Sequence, residues 1–132
     1  MGWYKAHLIM VFKLKYGDQK MFPVWENVIL IDADSFEEAL LEGRKYGEWD
    51  NKVQADSKWT LNDQPADNIF AGIRSIKDVS DVLADLKLFN TESKCLEVTC
   101  IQYEVDSINK IDELVKGSAV AVNLDQVYYD VE

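Results

Sequence analysis

Trp3-Tyr4-Lys5-Ala6-His7-Leu8-Ile9-Met10-Val11-Phe12-Lys13-Leu14-Lys15 is the stretch that decides the fold. Tyr4, Ala6, Leu8, Met10, Phe12 and Leu14 fall at alternate positions, the period of a strand with a buried face. The opposite face carries Trp3, His7, Ile9 and Val11 before it turns polar at Lys13 and Lys15. A strand apolar on both faces through its middle belongs inside a sheet, or under a second layer or subunit. Tyr16-Gly17-Asp18-Gln19 reads as a turn and Met21 to Ile31 as a second strand, so the two form a long antiparallel N-terminal hairpin. Pro23 has no N–H to donate, which puts its end of the second strand at an edge or bulge.

Downstream, Asp34-Ser35-Phe36-Glu37-Glu38 opens a helix, with Ser35 and Glu38 spaced as a capping box. Phe36, Ala39, Leu40 and Gly43 continue at helical spacing, and Gly47 is the expected stop. Residues 48–67 read as polar and irregular, anchored by Trp49 and Trp59. Ile69 to Ile76 reads as a strand in which Gly72 marks a bulge or a close backbone approach. Val79, Val82, Leu83 and Leu86 predict a short extra helix, and Leu96 to Val105 another strand. Asp106-Ser107 opens a second main helix, with Ile108, Ile111, Leu114 and Val115 inward and Gly117 beyond its end. Ala119 to Leu124 reads as a short strand and Val127 to Val131 as a last edge. The fold class is therefore α+β: a mainly antiparallel sheet of five to six strands, with a β-β-α unit repeated. Two such units sharing one sheet would place both helices on one face.

The 132 residues are the size of one domain, and 48% hydrophobic with 29% charged residues is an ordinary globular balance. The longest fully apolar run, Leu8 to Phe12, is far below the ~20 residues of a membrane helix. The N-terminus lacks a signal-peptide pattern, so a cytoplasmic location is expected and membrane association is not. The net charge is −10, from 14 basic and 24 acidic residues, which opposes binding of nucleic acid phosphates. Cys95 and Cys100 are five apart in a predicted strand, an odd spacing that puts them on opposite faces as reduced thiols.

Chemistry-bearing motifs are few. His7 is the only histidine, so any Ser-His or Cys-His nucleophile system must use it, and no nucleophile elbow or phosphate loop accompanies it. One histidine and two cysteines make no zinc set. Asp32, Asp34, Glu37 and Glu38 miss the glycine of a calcium loop, since Glu37 stands at its sixth position. No metal or cofactor is expected, and no catalytic residue is assigned. Arg74 stands out because it follows Phe70-Ala71-Gly72-Ile73 in an otherwise apolar strand. Such a cation reaches solvent, pairs with a carboxylate or binds an anion. Trp3 and Trp25 are large aromatics suited to line an interface or groove. Arg74, His7, Trp3 and Trp25 are thus the candidate ligand- or partner-binding residues.

Trp3-Tyr4-Lys5-Ala6-His7-Leu8, Val24-Trp25-Glu26-Asn27-Val28-Ile29-Leu30-Ile31 with Asp34-Ser35 and its Glu-rich helix, and Phe70-Ala71-Gly72-Ile73-Arg74 resemble a small bacterial family. It is the domain-of-unknown-function family four-two-eight-eight. Glu97-Val98-Thr99, Tyr103-Glu104-Val105 and Leu114 to Gly117 are similar to its ending, whereas residues 48–67 and 78–92 depart from it. The resemblance implies a bacterial, cytoplasmic, stand-alone domain and carries over no catalytic residue.

Acidic charge, an aromatic excess and missing catalytic motifs favour a non-catalytic protein-interaction module: an inhibitor, an immunity-type protein or an accessory subunit. Its expected partner is a protein of basic charge. The alternative is a small-ligand binder or enzyme with a site around Arg74 and His7. A homodimer is also expected, through the second face of the first strand, where Trp3, Ile9 and Val11 would be uncovered. The rival cover for that face is the 48–67 segment folded back with Trp49 and Trp59.

Overall fold

The computed structural model describes residues 2–81 and 94–123. Five antiparallel strands form the sheet: β1 (Gly2–Leu14), β2 (Phe22–Ala33), β3 (Thr60–Leu61), β4 (Gln64–Asp78) and β5 (Cys95–Val105). Helix α1 (Phe36–Ala55) follows β2, and α2 (Ile108–Val115) follows β5. The strand order is β3-β4-β1-β2-β5, which puts the doubly apolar β1 in the middle.

β1 and β2 pair from Gly2 opposite Ala33 to Val11 opposite Val24. Gln19 closes the connection between them. Its Oε1 accepts from Leu14 N at 2.8 Å, and its Nε2 donates to Phe12 O and Met21 O at 2.9 Å each. β3 and β4 are joined by Asn62 and Asp63, both at positive φ (51° and 66°), the backbone a two-residue hairpin turn requires. The Asp-Ser pairs open both helices. Ser35 Oγ accepts from Glu38 N at 3.0 Å, and Ser107 Oγ accepts from Lys110 N at 3.3 Å.

The two faces of the sheet hold separate cores. On the first, Tyr4, Ala6 and Leu8 of β1 meet Ile29, Ile31 and Ala33 of β2 beneath Ala39 of α1. On the second, Ile9, Val11 and Val24 meet Tyr103 and Val105 beneath Ile111 and Leu114 of α2. The helices therefore lie on opposite faces, not on one. The reason is in β1: Leu8 and Ile9 point opposite ways and are 1% and 0% exposed, so each face needs its own cover. Ile9 and Val11, expected at a dimer surface, are buried by α2 of the same chain.

Residues 48–67 also differ from expectation. Gly47 does not stop α1, which runs to Ala55. This glycine faces the sheet, where a Cβ would come within 2.5 Å of the Phe70 ring, so close packing explains it. Trp59 packs edge-to-face on Phe12 and Trp25, with centroids 5.1 and 5.4 Å away, and so covers the first face. It forms no lid on the second.

β4 departs from regular pairing twice. Successive β1 residues Leu8 and His7 oppose Ile73 and Ser75, and Met10 and Ile9 oppose Phe70 and Gly72. Arg74 and Ala71 are therefore extra residues in two bulges. β5 is bulged at Val98, since Val28 and Ile29 oppose Thr99 and Glu97. That bulge reverses the parity expected for the thiols. Cys95 opposes Ile31 and Cys100 opposes Asn27, so both lie on the first face, and no disulfide joins them. The predicted short helix from Val79 to Leu86 falls largely outside the described residues, as does the Val127 to Val131 edge. Within 119–123, Asn123 forms an antiparallel bridge with Glu104.

Candidate functional site

A row of polar side chains crosses the second face at the margin of α2. Glu26 interrupts β2 between Val24 and Val28 and is only 8% exposed. Both its carboxylate oxygens have partners. His7 Nδ1 lies 2.6 Å from Oε2, and Tyr103 OH donates to Oε1 at 2.5 Å. Adjacent strands position the trio diagonally: His7 is opposite Val28, Glu26 opposite Ile101, and Tyr103 opposite Val24. A carboxylate only accepts, so an ionised Glu26 keeps a proton on His7 Nδ1 and fixes the ring's orientation. The Tyr103 phenol is pushed far above its ordinary range by burial, then by its hydrogen bond and charge interaction with Glu26; the Arg74 charge acts weakly the other way. Tyr103 is thus a neutral donor that holds a buried carboxylate.

Arg74 projects from its bulge toward the end of α2. Its Nη1 donates to Leu114 O at 2.9 Å. Carbonyls in a helix's last turn lack intrahelical partners and carry negative dipole charge, so a guanidinium there is stabilising. Beside it, Gly72 admits Val115 of α2; a Cβ at Gly72 would lie 2.6 Å from Val115 Cγ1. Arg74 and Gly72 together dock α2 on β4.

Of the four sequence candidates, the structure puts His7, Arg74 and Trp3 on the second face. Trp3 is half-buried at its upper end, where its backbone N–H donates to Ser80 Oγ at 3.0 Å. Trp25 lies on the first face, in the aromatic cluster with Phe12 and Trp59. Glu26 and Tyr103 were missed as site residues. Glu26-Asn27 within an apolar strand was the available signal, since buried polar residues need partners. Nothing local in sequence marks Tyr103.

A second polar region lies on the first face between α1 and β5. Tyr46 and Asp50 of α1 overhang β5. Tyr46 OH donates to Glu97 Oε1 at 3.4 Å, and Asp50 accepts from Asn27 Nδ2 at 3.4 Å and from Gln54 Nε2 at 3.3 Å. Burial, then the charges of Glu97 and Asp50, raise the Tyr46 phenol to about 12. Burial, then Glu97, Asp50 and Glu26, raise the Cys100 thiol to about 11; burial, then Glu42, raises Cys95 to about 11. Burial leads in all three; Glu97 and Asp50 act on both Tyr46 and Cys100, while Cys95 is acted on by Glu42. Lys94 and Lys45 reach Glu38 and Glu42, at 2.7 and 3.6 Å. No cation among the described residues stands within 4 Å of Asp50, Glu97 or Glu104. The other side of α1 borders a groove of about 560 Å³ along β4, walled by Phe36, Leu40, Arg44 and Glu48.

No group of three or more His, Cys, Asp and Glu among the described residues is arranged to hold a metal ion. No described helix is long and apolar enough to cross a membrane. No curated protein and no solved structure gives a significant match to the chain. The family model described as Domain of unknown function (DUF4288) matches residues 3–92, which take in β1 through β4. The similarity read in residues 97–117 lies beyond that match. With more than half of its length matched, the chain belongs to the DUF4288 family.

Proposed function

We propose that this is a bacterial, cytoplasmic protein-interaction module, of the inhibitor, immunity-type or accessory kind, that binds a basic partner. The observation that carries the reading is β5. This outer strand exposes Leu96, Val98 and Ile101 at 45%, 55% and 40% while an acidic trough lies along its other face. Scattered exposed apolar residues are ordinary, but three within six positions on one outer strand form a patch of the kind that binds proteins. The buried carboxylate Glu26 is fully occupied by His7 and Tyr103, which suits a structural role for the polar row. Affinity capture from the native cell, run with wild type and with Ile101→Glu, tests the reading. The expected result is a protein partner retained by wild type and lost from the variant. Capture unaffected by Ile101→Glu and by Val98→Glu would refute it.

The second reading, a small-ligand or catalytic site around Arg74 and His7, draws on the His7–Glu26 contact, which orients the imidazole as a base-orienting carboxylate does. Against it, Arg74 already serves the end of α2. A metabolite panel read by thermal shift separates the two. A compound that raises the melting temperature of wild type but not of His7→Gln would replace the interaction reading with this one.

A further inference from the structure

We propose that the β5 edge from Thr99 to Tyr103 takes up an extended segment of another protein in which Lys or Arg alternates with apolar residues. The inference rests on the interaction reading and names the chemistry and geometry of the partner.

β5 is an outer strand, so its backbone groups on the side away from β2 have no strand neighbour between Leu96 and Tyr103 among the described residues. Such a row of donors and acceptors is a template for strand addition. The opposite side of the sheet is defended. The outer strand there, β3, is two residues long and covers only Gln64 and Pro65, and beyond it β4 carries two bulges, at Ala71 and Arg74, with Lys77 near its end, devices that turn an edge away from pairing. β5 from Thr99 to Tyr103 has no proline, lysine or bulge, and pairs in regular register with Val28 to Val24. At its lower end Glu104 already exchanges backbone hydrogen bonds with Asn123, at 3.0 and 2.9 Å, so this side of the strand does accept a partner.

The two faces beside this edge differ. Thr99, Ile101 and Tyr103 point to the second face, as does the exposed Leu96, and the bulged Val98 is exposed next to Thr99. Cys100, Gln102 and Glu104 point to the first face, next to Glu97 and below Asp50. Successive side chains of an added strand alternate between those faces. One set would meet aliphatic surface and the other a field of uncompensated carboxylates. Alternating apolar and basic residues satisfy both.

Charge selects among occupants. A second copy would bring Glu97, Asp50 and Glu104 against the same residues of its mate. The chain's own residues 124–132 contain Asp125, Asp130 and Glu132 and no base. Like charges at close range oppose both, whereas a basic segment gains from the same field and associates faster through it.

The test uses a labelled, end-blocked nonapeptide of alternating lysine and valine. Controls are its glutamate–valine counterpart and a lysine–valine peptide N-methylated at every second residue. Anisotropy with the full chain should show binding of the first peptide alone. Glu97→Lys, with its fold verified by circular dichroism, should weaken that binding about tenfold or more. Amides of Thr99 to Tyr103 should gain protection from hydrogen exchange. Equal binding of the methylated peptide would mean charge attraction without strand pairing and would overturn the proposal, as would protection elsewhere. Binding that appears only in a chain ending at Asn123 would assign the edge to residues 124–132. A concentration-dependent dimer abolished by Ile101→Glu would assign it to a second copy. Either outcome overturns the basic-strand assignment. A native partner lost with Ile101→Glu while the peptide fails would leave the interaction reading standing and remove this one.

Discussion

Gly72→Ala is the substitution that most directly probes how α2 is seated. Gly72 has φ +151°, a region where a side chain is strained, and the added Cβ would lie 2.6 Å from Val115 Cγ1 and 3.3 Å from Cγ2. Two costs combine. Holding a non-glycine residue in such a backbone region costs about 1–3 kcal/mol. Relieving the clash pushes Val115, and with it Ile111 and Leu114, off the Ile9–Val11 surface, and overpacking of this kind costs about 1–3 kcal/mol. Part of the first cost is lost if the strand relaxes, so a total of about 2–4 kcal/mol is expected. For a chain of this size that lowers the melting temperature by roughly 6–15 °C. A double-mutant cycle separates the costs, read by urea denaturation. Val115→Ala removes the clashing methyls, so Gly72→Ala should cost less in that background, leaving the backbone strain alone. A Gly72→Ala protein within about 0.5 kcal/mol of wild type would refute the reasoning. So would a cost unchanged by Val115→Ala, as regards the clash.

Other expectations are independent of that cycle. Gly43→Ala should shift stability by no more than about 1 kcal/mol in denaturation, since the helix gain is offset where its Cβ meets the Cδ1 atoms of Ile73 and the buried Ile31 at 3.2 and 3.3 Å; Gly47→Ala, against the Phe70 ring, should destabilise. Tyr103→Phe should cost about 1.5–3 kcal/mol by removing a charge-assisted bond to Glu26, and the loss should shrink in a Glu26→Gln background if the two act together. Asn68 is 3% exposed with neither amide atom hydrogen-bonded, so Asn68→Leu should raise the urea midpoint; a clear drop would reveal a bound water. The thiols and Tyr46 have raised pKa values, so folding favours their neutral forms. The stability this gives is complete below their unfolded values and is lost as pH climbs toward about 11–12. Melting temperature should therefore fall from about pH 9 upward, less steeply in Cys100→Ala, and a flat alkaline profile would contradict it.

β1 was legible because alternation is a local signal and its second apolar face demanded a cover. The helix starts were legible for the same reason: an Asp-Ser cap followed by helical spacing is contained in five residues. The end of α1 was not, because Gly47 as a stop and Gly47 as a contact with Phe70 look alike until β4 is placed. The faces of Cys95 and Cys100 were misread because a single bulge at Val98 inverts parity, and a bulge is set by partner strands. The polar row was half visible. His7 and Arg74 stood out by rarity and context, but the carboxylate that holds His7 is nineteen positions away and the phenol that completes it seventy-seven beyond that. Such pairings belong to strand register, which local pattern does not encode.

The strand order carries a kinetic consequence. β1, its turn and β2 lie within one short stretch of chain, and α1 follows at once, so these elements can meet early. β5 joins β2 only by pairing residues from 64 positions apart (Ile31 and Cys95) to 83 (Phe22 and Val105). Closing such loops costs entropy before any contact repays it, which slows folding toward the millisecond-to-second range of β-rich domains. If β5 docks after the rate-limiting step, Val105→Ala should speed unfolding and leave the refolding rate nearly unchanged, whereas slowed refolding would place β5 in the nucleus. Until that docking, the β2 edge lies open with Val24, Val28 and Ile29 beside it, and a nascent or heat-stressed chain is most prone to aggregate there.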